Sequence, residues 1–403
     1  MLNNKIKLDN YNLYIFLIYI LWIVSIISYF FIDDYIKAGS LDNGVMYGAD
    51  SAWYIKEANS IITGETSVFE HKYNFGFILF LIPFIYFDMP FLTVVFFQLL
   101  LTAISALCLY KITTKFFCRL SGVICMALFL FYFPLQIRNF YILTEMLFID
   151  IVIILTYFIV NYKKYYLPII IFLVAALIFT RANGILFLFS ILTSLLFFLL
   201  KYKKYLSLSI YLGVSIILII PLINLMNNYL IDLDLIHALT TKGIIWGWSF
   251  EHDQLCANTE IPIRCLEIEF INNNYQNNVF DIFKFIYINF FEFSKIFFLK
   301  VFWLLARARP YYSDLHNYYI IIFNLIFYSG FIFGFIKRPK NNFAINVIML
   351  FIIFSIILVG LTFADWSGRF SLYFLPLIMI FSSYGLSILL KSIFNLVLKN
   401  KNI

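Results

Sequence analysis

Long apolar runs separated by short polar breaks dominate the chain. They fall at about 11–32, 90–110, 120–137, 144–161, 166–180, 184–200, 206–226, 317–336, 342–362 and 370–390. A helix needs about 20 apolar residues to cross the hydrocarbon core of a bilayer. Irregular backbone cannot do so, because lipid offers its N–H and C=O groups no partners. The pattern therefore predicts an all-α polytopic membrane protein of about ten transmembrane helices. The first run is too long for a signal-peptide core and no small-residue cleavage pattern follows it, so it reads as a retained anchor. Two further apolar stretches are predicted not to cross. Residues 74–87 are few and end at Asp88-Met-Pro90, and 281–306 carry Lys284, Glu292, Lys295 and Lys300, the pattern of an interfacial amphipathic helix.

Composition agrees: 63% of residues are hydrophobic and 13% charged, about half the charge of a soluble globule. The net charge of +7 is topological information rather than a nucleic-acid signature, because Lys and Arg sit in short clusters between the apolar runs. The clusters are Lys111/Lys115/Arg119, Lys163/Lys164, Lys201/Lys203/Lys204, Lys337/Arg338/Lys340, and Lys391/Lys399/Lys401. Short basic loops stay cytoplasmic. A cytoplasmic N-terminus places all of them inside, and the C-terminus with them. The acidic residues, which played no part in that choice, then fall almost wholly outside: of 22, only Asp9 is on the cytoplasmic side. The expected location is a cell membrane, with 1–403 forming a single transmembrane domain. Its two large extracytoplasmic loops are 33–90 and 227–317, each carrying an interfacial helix. Short outer turns lie at 138–144, 181–183 and 363–369.

Ionisable residues at a membrane boundary are costly if they face lipid, which makes them functional candidates. The short turns hold Arg138 and Glu145, Arg181, and Asp365 with Arg369. The alternative is that such residues cap helices and anchor the interface. In the first loop, Gly48-Ala-Asp50-Ser-Ala-Trp-Tyr54 through Gly64 reads as a short surface helix. Asp50 is expected at its N-cap, accepting backbone N–H groups. Trp53, Tyr54, Ala58 and Ile61 form its apolar face and Gly64 its end. In the second loop, Cys256 and Cys265 lie nine positions apart and can close a disulfide outside the cytoplasm. Cys108, Cys118 and Cys125 are read as inert small hydrophobes. None of the four histidines has a metal-ligand spacing.

The helix motif Asp50-Ser-Ala-Trp-Tyr54-Ile-Lys-Glu-Ala58 with Gly64 resembles the first-loop motif of the GT-C glycosyltransferases. These multispanning enzymes include protein O-mannosyltransferases and the aminoarabinose transferase of lipid A. Further segments resemble that family in the same order: Glu70-His-Lys72-Tyr-Asn-Phe-Gly76, Thr144-Glu145, Thr180-Arg181-Ala-Asn-Gly184, and Asp365-Trp-Ser-Gly-Arg369-Phe with Pro376. Ser51 departs from the family's second acid and Tyr73 from its usual Pro, and there is no large C-terminal soluble region. Transfer of one sugar is therefore expected over transfer of an oligosaccharide to protein.

The resemblance implies transfer from a polyprenyl-phosphate-linked sugar to a lipid, glycan or protein acceptor among the membrane lipids. Asp50 would serve as general base, and Glu145 would orient the acceptor or help hold a divalent cation. Lys72, Arg181 and Arg369 would hold the donor phosphate, for which Arg offers the better bidentate fork. Glu70 and His71 are the candidate ligands for a divalent metal, with no cofactor otherwise expected. Two other readings stay open: a flippase or transporter of lipid-linked sugars, and an O-antigen-type polymerase. Transporters place polar residues at mid-bilayer in broken spans, whereas the spans here hold few central charges and the charged set lies at one boundary.

Overall fold

In the computed structural model the described residues are 2–32, 40–42, 45–46, 48, 50–65, 74–203, 279–309, 312–339, 342–362 and 368–400. The elements in chain order are α1 (Leu2–Ile32), β1 (Ser40–Asp42), β2 (Val45–Met46), α2 (Ser51–Thr63), α3 (Phe75–Tyr86), α4 (Phe91–Phe116), α5 (Arg119–Leu130) and α6 (Phe133–Gln136). A 3-10 turn (Ile137–Phe140) leads to α7 (Thr144–Val160), α8 (Leu167–Thr180) and α9 (Gly184–Lys201). The rest are α10 (Val279–Ile288), α11 (Phe290–Ala306), α12 (Asp314–Ile336), α13 (Phe343–Leu361), α14 (Arg369–Leu372) and α15 (Leu375–Asn400). The small β1–β2 hairpin is antiparallel.

Six of these helices are long and apolar enough to cross a membrane: those at Tyr11–Ser28, Phe91–Phe116, Gly184–Lys201, Asp314–Ile336, Phe343–Leu361 and Leu375–Ser392. A seventh would be Arg119–Leu130 with Phe133–Phe140, a pair bent by 58°. The structure thus supports a helical membrane protein but not the full count of ten. The predicted spans 144–161 and 166–180 form shorter helices, α7 at 17 residues and α8 at 14. The run 206–226 lies outside the described residues. Helix α3, at 12 residues, covers about 18 Å and is too short to cross, as expected. The 281–306 stretch is two helices, broken at Asn289.

The chain divides into two compact units. In the first (1–189, 325–348, 372–403), α4 packs between α5 and α7, α15 lies on α5, and α8 lies on α7 and α3. Nearly every residue of α7 is buried, so this helix is core all round. Helix α1 is the reverse: Leu13, Phe16, Leu17, Ile20, Leu21 and Val24 are exposed. Such a surface is stable only against lipid. Lys115 Nζ donates to the Val160 carbonyl at 2.7 Å and to Asn161 Oδ1 at 3.1 Å. The ends of α4 and α7 therefore meet, bringing two of the basic clusters together. Glu145 opens the other end of α7, about 23 Å away along the helix.

Helix α12 meets α15 through glycines four residues apart. A Cβ on Gly334 would lie 2.0 Å from the Phe381 carbonyl oxygen, and one on Gly330 2.7 Å from that of Ser382. Gly385 meets the Gly330 carbonyl at 2.0 Å in the same sense. Without a hydrophobic drive between helices in lipid, such close backbone approach is what holds them. Gly334→Leu is expected to cost about 3 kcal/mol, the upper range for overpacking, read as a lowered melting temperature in detergent.

In the second unit (190–324, 349–371), Lys300 is buried and donates to the Thr362 carbonyl. Asn324 Nδ2 caps the end of α11 through the Ala306 carbonyl at 2.6 Å. Arg307, at the αL position that ends α11 with φ 59°, and Arg309 are both buried.

Candidate functional site

Asp50 directly precedes α2. Its carbonyl accepts the N–H groups of Trp53 and Tyr54, both at 3.2 Å, but its carboxylate makes no capping hydrogen bond. Asp50 stands at the N-cap as expected, but the expectation that its carboxylate accepts backbone N–H groups there is corrected. Ser51 fastens this corner instead: its hydroxyl accepts the Gly48 N–H at 2.8 Å and donates to the Ile142 carbonyl at 2.9 Å. The residue that departs from the resembled motif thus has a defined structural task, and the Asp50 carboxylate is not consumed by capping. Ser51→Ala is expected to cost about 1–2 kcal/mol by thermal melting, because it removes both bonds in a buried place. The buried face of α2 is Ser51, Tyr54, Glu57, Ala58 and Ser60, with Tyr54 edge-on to Phe77 at 5.4 Å. Trp53 is exposed, so of the apolar positions it is Tyr54 and Ala58 that pack inward.

The Ile142 carbonyl that holds Ser51 lies three residues before Glu145. A Cβ on Gly48 would lie 2.8 Å from Leu143 Cδ1, so the two segments are in close contact. Glu145, in the first turn of α7, is 1% exposed and pairs with Arg181, Nη1 to Oε1, at 3.2 Å. Arg181 also donates to the Thr144 hydroxyl, and its guanidinium stands 4.9 Å over the Tyr373 ring. Phe148 supports that ring edge-on at 5.2 Å. The turn after α8 delivers Arg181: Gly184 N–H donates to its carbonyl at 2.8 Å. Only glycine fits at 184, where a Cβ would lie 2.5 Å from the Leu177 carbonyl oxygen.

The structure therefore brings Glu145 and Arg181 into one ion pair, the carboxylate buried and the guanidinium partly exposed, next to the corner that carries Asp50. Tyr373 completes the group; sequence reading missed it, although it lies in the segment that resembles the late arginine motif. Arg369 belongs to the second unit, where it opens α14. Its neighbour Gly368, at φ +68°, places a Cβ position 3.8 Å from Arg309 Nη2 and 4.0 Å from Arg307 Nε. Two buried arginines, Arg307 and Arg309, thus approach the glycine that precedes Arg369. Lys72, Glu70, His71, Asp365, Cys256 and Cys265 lie outside the described residues. Among the described residues no group of three or more His, Cys, Asp or Glu side chains could hold a metal ion.

No family model, curated protein or solved structure matches this chain. The functional reading rests on its own residues and on the resemblance of their motifs.

Proposed function

We propose that this protein is a membrane glycosyltransferase that takes a sugar from a polyprenyl-phosphate donor on the outer face of a cell membrane. In this reading the chain crosses about ten times, with both termini cytoplasmic. Asp50 takes the proton of the acceptor hydroxyl. Glu145, its charge balanced by Arg181, orients the acceptor side of the site. Arg369, with Lys72, receives the charge that develops on the leaving phosphate. The observation that carries the reading is the corner at Ser51 and Ile142. It sets an acid uncommitted to capping close to the buried Glu145 and its partner Arg181, at the end of α7 opposite Lys115.

The chemistry needs no strong general acid, since phosphate is a good leaving group; it needs a base within hydrogen-bond reach and cations for the departing oxygen. The test is transfer by the purified protein from a panel of radiolabelled polyprenyl-phosphate sugars. Transfer from one donor supports the reading. Donor crossing the bilayer unreacted in vesicles would assign a flippase instead.

A further inference from the structure

A run of buried polar side chains crosses the interior of the first unit. Asp150 lies six residues into α7, about 9 Å along its axis from Thr144, and is 0% exposed. Its Oδ2 is 3.4 Å from the Thr102 hydroxyl oxygen on α4; its buried Oδ1 makes no close hydrogen bond, and the Ser105 hydroxyl is the donor that faces the carboxyl. The Thr102 hydroxyl is 2.9 Å from Asn139 Oδ1. Asn139 Nδ2 is committed to the Gln136 carbonyl at 3.2 Å. Gln136 accepts the Trp22 indole N–H at 3.0 Å and donates to the Phe129 carbonyl at 2.9 Å. Gln98 donates to the carbonyls of Asn139 and Tyr141, both at 3.1 Å.

Counting hydrogens along this run identifies a missing one. Asn139 Oδ1 is an acceptor, so the hydrogen between it and Thr102 is the one on the Thr102 hydroxyl. Thr102 then presents only lone pairs to Asp150 Oδ2. An ionised carboxylate there would face an acceptor at Oδ2 and have only the Ser105 hydroxyl as a donor, in a medium that screens its charge little. No base offsets it. From α4 the carboxyl is faced by Thr102, Ser105 and Cys108. Lys111, the nearest lysine on that helix, stands over the Tyr157 ring two turns further along α7. Helix α8, packed on α7, carries no titratable side chain.

We propose that Asp150 is a proton-binding site inside the membrane bundle. It is a neutral carboxylic acid whose O–H donates to Thr102, which donates to Asn139. The chain of donors fixes the turn 137–142, whose Ile142 carbonyl holds Ser51. Asp150 is thus a positioning residue for the outer corner. The proposal goes beyond the transferase reading and does not rest on it.

The test is infrared difference spectroscopy at pH 7 on the purified protein in nanodiscs, wild type against Asp150→Asn. The expected result is loss of one protonated-carboxyl C=O band in the variant. The amide N–H of the new Asn replaces the acid O–H, so Asp150→Asn melts within about 2 °C of wild type, whereas Asp150→Val loses about 5 °C or more. If Asp150→Asn does not fold, Thr102→Val, which keeps the acid and removes its acceptor, is expected to move the band. No band lost, or none moved, overturns the proposal. So does a wild-type melting temperature that is higher in sodium chloride than in choline chloride and loses this dependence in Asp150→Asn, because those oxygens would then hold a cation.

Discussion

Asp50→Asn is expected to lower sugar transfer by about a hundredfold or more, the usual scale for loss of a general base, with the fold unchanged. The two halves of that expectation come from separate atoms. Ser51, not Asp50, makes the side-chain hydrogen bonds that hold the start of α2. An isosteric amide at position 50 therefore removes basicity without removing a cap, and its stability effect stays within about 0.5 kcal/mol. Side-by-side turnover and melting measurements check both. Turnover equal to wild type would exclude Asp50 as the base, and a large melting shift would show that the carboxylate has a structural partner.

The largest effect on stability is expected at the Glu145–Arg181 pair. Glu145 is 1% exposed, so Arg181→Ala leaves a carboxylate in a dry site without its cation, a loss of about 3–5 kcal/mol. The stack on Tyr373 adds less, about 0.5–2 kcal/mol, so the unbalanced charge sets the size of the effect. The double variant Glu145→Gln/Arg181→Met removes both charges and is expected to be clearly more stable than Arg181→Ala alone. Arg181→Lys keeps the charge but not the fork or the flat stack, and should fall between. Thermal melting in one detergent orders the variants. Equal losses in Arg181→Ala and the double variant would show that the pair carries no buried-charge penalty.

The helical membrane class was legible in the sequence because lipid imposes a coarse, repeated rule: apolar runs with basic breaks. The grouping of Lys115 with the end of α7 and the placing of Glu145 at its far end agree with that pattern. What failed was local. Asp50 and Ser51 are both good helix-capping residues, and which of them is used depends on the Ile142 carbonyl, 91 residues away. Trp53 and Tyr54 are adjacent, so helical spacing alone could not decide which ring faces α3. Asp150 was counted with the boundary acids because one carboxyl in an apolar run gives no sign of depth; its hydroxyl and amide partners come from α4 and the turn before α7. The ion pair was foreseen only as two separate candidates, since nothing in either short turn announces that they meet.

The first helix carries a consequence for how the chain is made. Among its described side chains, two hydrogen bonds clasp it to other helices and turns: Tyr19 donates to the Ala103 carbonyl at 2.6 Å and Trp22 to Gln136 at 3.0 Å. These partners lie 84 and 114 residues further on, so they emerge from the ribosome well after α1 does. Until then neither clasp can form, and the apolar surface of α1 from Leu13 to Val24 suits it to the bilayer meanwhile. Its phenol and indole are held ready for carbonyls that arrive later, so insertion and docking are separate events for this segment.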